Sequence, residues 1–248
     1  MISNEPRCIY ENNQLGEVIC QLRFPEILSI ETELPAKFQD AIRDVFPRYS
    51  TRREKSGPDI QTNNYQFATD DGVWRVNLTS KFISLATSGY KSWEKFAVML
   101  DRPLAAFIQL YKPACFDRVG LRYLNFFSRR ALDLEGTPFR ELFEPAYLGL
   151  LGEEDVPEHT ASRSGVDADL AIRGSARLKL HAGPGKVTIG GRSDDEVKFI
   201  LDLDLYMSAQ VPVNLSAGAL QTLHSQAYGI FRGAITRRLH DAMEPEEV

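Results

Sequence analysis

The chain has 248 residues, of which 43% are hydrophobic and 25% charged, and its 29 basic and 34 acidic side chains give a formal charge of −5. This composition is typical of a folded globular protein and excludes a disordered or fibrous one. The acidic balance excludes a protein that gathers nucleic acid through its total charge, although a local basic surface remains compatible with it.

The first half of the chain predicts alternating strands and helices. In chain order we expect a strand at 18–24, a helix from Pro35 to Phe46, a loop at 51–62, strands at 65–69, 73–80 and 82–88, and a long helix at 93–111. Apolar residues two apart predict the strands, and apolar residues three or four apart predict the helices. Asp70-Asp71-Gly72 is typical of a hairpin turn. Ser92 is expected to cap the long helix, and Pro103 to kink or split it.

The second half of the chain predicts the same order of elements. We expect a central strand at 117–127, an acidic insertion at 128–164 with a short helix at 138–143, strands at 165–173, 176–182 and 197–208, and a helix from a Ser216 cap to about Met243. Both halves therefore follow the order β-α-β-β-β-α. This order indicates two pseudo-repeats, 1–116 and 117–248.

The predicted fold class is α+β. We expect the two repeats to pool their strands in one curved, mostly antiparallel sheet with the long helices packed on one face, so that residues 1–248 form a single compact unit. The saddle of the TATA-binding protein and the helix-grip ligand folds have this arrangement. They serve here as architectural analogies, because a shared fold does not imply a shared function.

Common catalytic and metal-binding spacings are missing from the sequence. The four histidines, His159, His181, His224 and His240, include no pair three or four residues apart, as a helical metal site requires. The glycines between Gly183 and Gly191 fit neither phosphate-loop pattern, and no G-x-S-x-G motif occurs. We therefore predict no metal, no cofactor and no enzymatic activity. A nucleophile assembled from distant Ser or Cys positions remains open.

The cysteines and the first residues bear on the cellular location. Cys8, Cys20 and Cys115 are an odd number and form no C-x-x-C pair, which favours reduced thiols in the cytoplasm. Residues 1–7 lack the basic and apolar segments of a secretion signal, and no stretch approaches the roughly 18 apolar residues of a membrane span. The expectation is a cytoplasmic protein that spans no membrane.

Strand alternation predicts a polar sheet face with charged residues of both signs. Arginine forks can bind a carboxylate or phosphate through two hydrogen bonds, and paired aspartates such as Asp202 and Asp204, or Asp167 and Asp169, can hold Mg²⁺ or Ca²⁺ or raise one another's pKa. The alternative is ordinary pairing of arginines with aspartates across neighbouring strands of a solvated face. The predicted binding residues are Arg23, Arg75, Arg122, Asn125, Asp202 and Asp204.

Four segments of the sequence carry a family resemblance. They are Tyr10, Asn13, Leu15, Glu17-Val18 and Arg23-Phe24; Arg118-Val119-Gly120-Leu121-Arg122-Tyr123-Leu124-Asn125; Leu201-Asp202-Leu203-Asp204-Leu205-Tyr206; and His224, Phe231 and Ile235-Thr236. They resemble a sporadically distributed family of prokaryotic proteins of this length, with an N-x-L-x-E-V opening and a central R-x-G-L-R-Y-x-N block. Gly16 departs from the acidic or small polar residue usual there. The resemblance implies a bacterial origin and one conserved unit, and implies no activity.

Three function hypotheses follow. The first is a non-enzymatic binding protein, the partner of another protein from the same operon or defence locus, with the acidic insertion at 128–164 docked on a basic surface. The second is a small-molecule binder or enzyme whose pocket lies between sheet and helices and is lined by Trp74, Tyr90, Trp93, Phe107 and Tyr123. The third is a nucleic-acid binder that uses the arginines of the sheet face.

Overall fold

The computed structural model describes residues 2–55, 61–161, 163–189, 192–193 and 195–247. The strands are β1 Cys8–Tyr10, β2 Leu15–Arg23, β3 Arg48–Lys55, β4 Gln61–Ala68, β5 Trp74–Leu78, β6 Phe82–Thr87, β7 Arg118–Phe127, β8 Val166–Ala171, β9 Ala176–Gly185, β10 Thr188–Ile189, β11 Arg192–Ser193, β12 Lys198–Met207 and β13 Pro245–Glu247. The helices are α1 Ser29–Thr32, α2 Ala36–Ile42, α3 Trp93–Tyr111, α4 Ser216–Arg232 and α5 Arg237–Ala242. Short 3₁₀ helices lie at Phe139–Glu141, Pro145–Tyr147, Gly149–Gly152, Glu158–Thr160 and Val213–Leu215.

The chain forms two compact units. The first unit comprises Glu17–Leu121 and Tyr206–Gln221, and the second comprises Met1–Gly16, Arg122–Leu205 and Thr222–Val248. The strand order is β3-β4-β5-β6-β2 in the first unit and β7-β12-β9-β8 in the second. The nine strands in these two sets are mostly antiparallel, which confirms the predicted α+β class.

In the first unit, α2 and α3 cover one face of the sheet. Phe38 of α2 contacts Phe67 of β4, and Phe107 of α3 packs on Phe24, with ring centroids 5.4 and 4.6 Å apart. Val18, Cys20, Leu22 and Phe24 are all buried on this side, as their alternation predicts. Removal of these side chains from water is the main favourable contribution to folding of the unit. Burial also raises the pKa of the Cys20 thiol to about 12.

The predicted loop at 51–62 is wrong at both ends, since residues 61–62 belong to β4. Residues 51–55 belong to β3, which pairs with β4 along its whole length, and residues 56–60 lie outside the described residues. β3 is the first strand of the order, and residues 48–53 are all exposed. An edge strand that is solvated on both faces has no reason to alternate apolar and polar residues, so the periodicity signal is missing.

The acidic insertion contributes to the core of the second unit. Phe143 is fully buried and stacks on Phe199 of β12 at a centroid distance of 3.8 Å. It also meets Phe127 of β7 edge to face at 5.0 Å, and Phe139 lies against Phe199 at 5.3 Å. Besides its acidic residues, the insertion therefore supplies aromatic side chains that complete the core of the second unit.

The predictions for two helices, α3 and α4, need correction. The helix predicted to run from residue 216 to Met243 ends at Arg232, and α5 begins after Thr236, whose side chain accepts a hydrogen bond from the Leu239 amide. Ser216 is the first residue of α4, and its hydroxyl donates to the Val213 carbonyl instead of capping. Pro103 does not split α3, which runs unbroken from the predicted Ser92 cap. No helix among the described residues combines the length and apolarity that crossing a membrane requires.

Residues 2–12, which we call the N-terminal strap, dock on α4 in the second unit. The Ser3 amide donates to the Gly229 carbonyl at 2.8 Å. Arg232, whose side chain is only 7% exposed, forms a 2.5 Å ion pair with Glu5. The Tyr228 hydroxyl accepts from the Cys8 amide, and burial raises the pKa of Tyr228 to about 12. The strap therefore neutralises a buried guanidinium that α4 alone leaves without a counterion.

The strap also brings Tyr10 to His240, with 2.8 Å between the tyrosine oxygen and Nδ1 of the histidine. Burial, with Arg232 and Arg237 nearby, lowers the pKa of His240 below its ordinary 6.5, against the opposing effect of Asp241 and Glu5. The imidazole of His240 therefore binds a proton more readily in the unfolded chain than in the folded one. The free energy of unfolding should fall as the pH drops below about 6.5.

Urea unfolding of the wild-type chain and of His240→Gln, at about pH 7.5 and about pH 5.5, measures this effect. We expect the wild-type midpoint to fall more on acidification than that of the variant, because the variant has no imidazole to protonate. Equal losses in the two proteins would contradict a buried neutral His240.

Candidate functional site

The face of the first unit opposite α2 and α3 is polar. Antiparallel register aligns one small polar side chain from each of five strands, and we call this line the amide row. Its members, in strand order, are Ser50, Gln66, Asn77, Ser84 and Gln21. Because side chains alternate along a strand, all five project from the face that the helices leave open.

Side-chain hydrogen bonds connect the members of the amide row. Nε2 of Gln66 donates to Oδ1 of Asn77 at 2.9 Å, and Nδ2 of Asn77 donates to the Ser84 hydroxyl at 3.3 Å. The Ser50 hydroxyl donates to Oε1 of Gln66 at 3.5 Å. Each bond runs in the same direction along the row, which holds both amides in one orientation.

The Asp-Gly turn between β4 and β5 helps to set this register. Gly72 has a φ of +69°, a conformation in which glycine carries no steric penalty. The Asp71 carboxylate accepts from the Thr69 hydroxyl and from the Val73 amide, and these bonds lower the pKa of Asp71. The turn places Gln66 directly opposite Asn77, so local turn chemistry determines the geometry of the amide row.

Four arginines surround the amide row. Arg75 pairs with Glu17 at 2.5 Å and Arg48 pairs with Asp70 at 2.7 Å. Arg23 donates to Gln21 at 2.9 Å. Arg23 and Arg52 have no ion pair to a described carboxylate, and both are exposed.

Arg23 and Arg52 lie at opposite ends of the line next to the amide row. Arg52 of the edge strand β3 stands opposite Asn64 of β4. Arg23 of β2 stands opposite Phe82 of β6. Phe82 is half-buried on this same face. The face therefore has a neutral hydrogen-bonding centre, an aromatic ring and an unneutralised positive charge at each end.

The structure distributes the predicted binding residues over both units. Arg23 and Arg75 lie on the polar face of the first unit. In the second unit, Nε and Nη2 of Arg122 bind both carboxylate oxygens of Asp202, at 2.8 and 2.5 Å. Asp204 shares the strand face of Asp202. The Arg122–Asp202 pair matches the alternative of ordinary cross-strand pairing.

Asn125 lies on the core side of β7, opposite in parity to Arg122. It is 2% exposed, and its Nδ2 donates to the Leu201 carbonyl at 3.0 Å. A buried amide with this partner satisfies a backbone group inside the second unit. The structure therefore places Asn125 on the opposite face of β7 from Arg122.

The remaining aspartates are paired as well. Asp169 binds Arg177 at 2.6 Å, and Asp167 lies 2.9 Å from Nδ1 of His181. Among the described residues, no three His, Cys, Asp or Glu side chains are close enough together to hold a metal ion. Across β8 and β9, Asp169 is thus paired with an arginine, and Asp167 is hydrogen-bonded to a histidine.

Three of the five aromatic residues predicted to line a pocket belong to a packed cluster in the first unit. Trp74, Tyr90 and Trp93 each contact the buried Phe96, with ring centroids 5.7 to 6.1 Å apart. Two cavities, of about 400 and 480 Å³, lie in the second unit and share Arg130 and Glu196 in their walls. None of the predicted aromatic residues lines either of these cavities.

Sequence reasoning missed several members of the site, among them Ser50, Arg52, Gln66 and Ser84. Arg52 lies in the part of β3 that was predicted as a loop, and Ser50 lies just before that loop, where no element was predicted. Gln66 and Ser84 lie in predicted strands, and the position of Gln66 between the buried Tyr65 and Phe67 signals that it faces away from the core. Their alignment in one row depends on strand pairing, which single-strand patterns do not report.

No protein-family model matches the chain, and no curated protein matches it. The family resemblance of its four sequence segments therefore stays a prediction.

Proposed function

We propose that this chain is a non-enzymatic binding protein whose ligand is nucleic acid, held on the polar face of the first unit. The observation that carries the proposal is the amide row with an unneutralised arginine near each end. Guanidinium groups bind phosphates, and amide and hydroxyl groups bind phosphates, sugars and base edges. The overall charge of −5 is compatible with this role, because the positive charge is local.

The composition of the face favours nucleic acid over a protein partner. Stable protein interfaces are centred on aromatic and aliphatic anchors. Two of the exposed large apolar side chains of the first unit, Val98 and Leu110, belong to α3, which covers the other face of the sheet. A small-molecule ligand is also disfavoured, because such ligands are held in concave apolar sites and the two cavities described above lie in the second unit.

The strand orders support the predicted duplication. Outward from the first strand of each half, the order is β2-β6-β5-β4-β3 for the first half and β7-β12-β9-β8 for the second. In both halves the last strand pairs beside the first. We propose two pseudo-repeats, 1–116 and 117–248, in a curved sheet like that of the TATA-binding protein, and a cytoplasmic location.

The salt dependence of binding tests the proposed function. The probes are single-stranded and duplex oligonucleotides of mixed sequence, labelled with fluorescein and titrated with protein while anisotropy is recorded. Two phosphate contacts should give a plot of log K against log salt with a slope of about −1.4 for single strands, or about −1.8 for duplex. Arg23→Ala and Arg52→Ala should each remove about half of this slope.

Arg43→Ala is the matched control. Arg43 is exposed at the end of α2, where it pairs with Asp40, and it lies off the polar face. Its removal should leave the slope unchanged. The proposal is wrong if neither probe binds at low salt, or if Arg43→Ala changes the slope as much as Arg23→Ala does.

A further inference from the structure

We infer that the bound nucleic acid is single-stranded and that the amide row selects adenine. This inference rests on the proposed function and adds a ligand class and a base preference to it. Three features of the first unit carry it: the width of the polar face, the small number of unneutralised arginines and the fixed orientation of two amides.

The width of the face argues against a duplex. Five adjacent strands span four inter-strand spacings of about 4.8 Å, or about 19 Å in all. The major groove of DNA is only about 12 Å wide, so this sheet cannot enter it. A sheet of this width would fit only a minor groove that has been widened, which requires a bent duplex. Many phosphate contacts must then offset the free energy of bending. Arg23 and Arg52 are too few to do so, whereas a single strand can follow the surface of a sheet without such deformation.

The amides present a fixed pair of hydrogen-bonding groups. Gln66 uses one N–H on Asn77 and one lone pair on Ser50, and Asn77 uses one N–H on Ser84 and one lone pair on Gln66. Each amide therefore keeps one donor and one acceptor for a ligand. The adenine edge offers the matching acceptor, N7, and donor, N6–H, and amides of Asn and Gln bind it through two hydrogen bonds.

Neighbouring groups provide the rest of a single-strand site. Phe82 lies on the same face beside the amide row and offers a ring on which a base can stack. Arg23 stands directly opposite Phe82, where it can hold the phosphate of the stacked nucleotide. Because hydrogen bonds already join the row from Ser50 to Ser84, it binds a base with little reordering of these side chains.

The test compares labelled oligoadenylate, oligocytidylate and oligouridylate of about 12 nucleotides, with a duplex of the same length, by anisotropy. We expect oligoadenylate to bind about tenfold more tightly than the other two single strands, and the duplex to bind more weakly than oligoadenylate. Gln66→Met should abolish the adenine preference, because methionine keeps the size of glutamine and removes both hydrogen-bonding groups.

Gln39→Met is the control, since it makes the same change on α2, on the other side of the first unit. Thermal unfolding of both variants checks that each remains folded. Equal binding of all three homopolymers, or duplex binding as tight as that of oligoadenylate, overturns this inference and leaves the proposed function standing. Failure of every oligonucleotide to bind overturns the proposed function itself.

Discussion

Phe143→Ala is expected to lower the free energy of unfolding by about 3 to 5 kcal/mol. The side chain is fully buried, stacked on Phe199 and in edge contact with Phe127, so its removal leaves a cavity between the insertion and two central strands. The cost combines the lost transfer free energy of the ring with the loss of aromatic contacts around the cavity. Urea unfolding followed by circular dichroism measures it.

Leu150→Ala is the matched control, because Leu150 lies in the same insertion and is 72% exposed. Its removal should change the free energy of unfolding by no more than about 0.5 kcal/mol. A small effect of Phe143→Ala, comparable to that of Leu150→Ala, would mean that the insertion is an appendage and that the core of the second unit forms without it.

Gly229→Val is expected to release the N-terminal strap. A Cβ at this position would lie 3.0 Å from the Ser3 carbonyl oxygen and 2.9 Å from a methyl group of Ile2. The backbone of Ser3 must move, which breaks its hydrogen bond to the Gly229 carbonyl and separates Glu5 from the buried Arg232. Overpacking of this kind destabilises by about 1 to 3 kcal/mol. Limited trypsin digestion should cleave after Arg7 about tenfold faster, since local opening controls cleavage.

Gly218→Val provides the comparison for this variant. It places the same β-branched residue on the same helix, where a Cβ meets nothing within 4 Å. Any effect of helix propensity is therefore common to both variants, and only contact with the strap differs. Equal cleavage rates after Arg7 in the two proteins would show that Gly229 has no part in docking the strap.

The strap and the polar face belong to different units, which keeps the experiments independent. Gly229→Val changes contacts of the second unit, whereas Arg23, Arg52 and Gln66 lie in the first. Loss of oligonucleotide binding in Gln66→Met with an unchanged unfolding midpoint thus reports on the surface. A lowered midpoint in Phe143→Ala reports on the core.

Most strands and helices followed from local patterns. The alternation in β2 predicted four buried side chains, and Asp70-Asp71-Gly72 predicted the turn between β4 and β5. The charged face was predicted only in part. Arg23 and Arg75 lie where alternation places them, whereas Asn125 faces inward, because its parity on β7 is that of the buried Tyr123 and Phe127.

From the sequence alone, the α+β class, the central strands and the long helix α3 could be derived, because burial of one face imposes a period on neighbouring residues. The sequence alone did not allow us to derive the edge strand β3, the amide row or the buried position of the aromatic residues in the insertion. Each depends on pairing or packing between segments far apart in the chain, and a solvated edge strand or an irregular segment has no period that would report it. Only the tertiary structure decided that Gln66 faces Asn77 and that Phe143 meets Phe199.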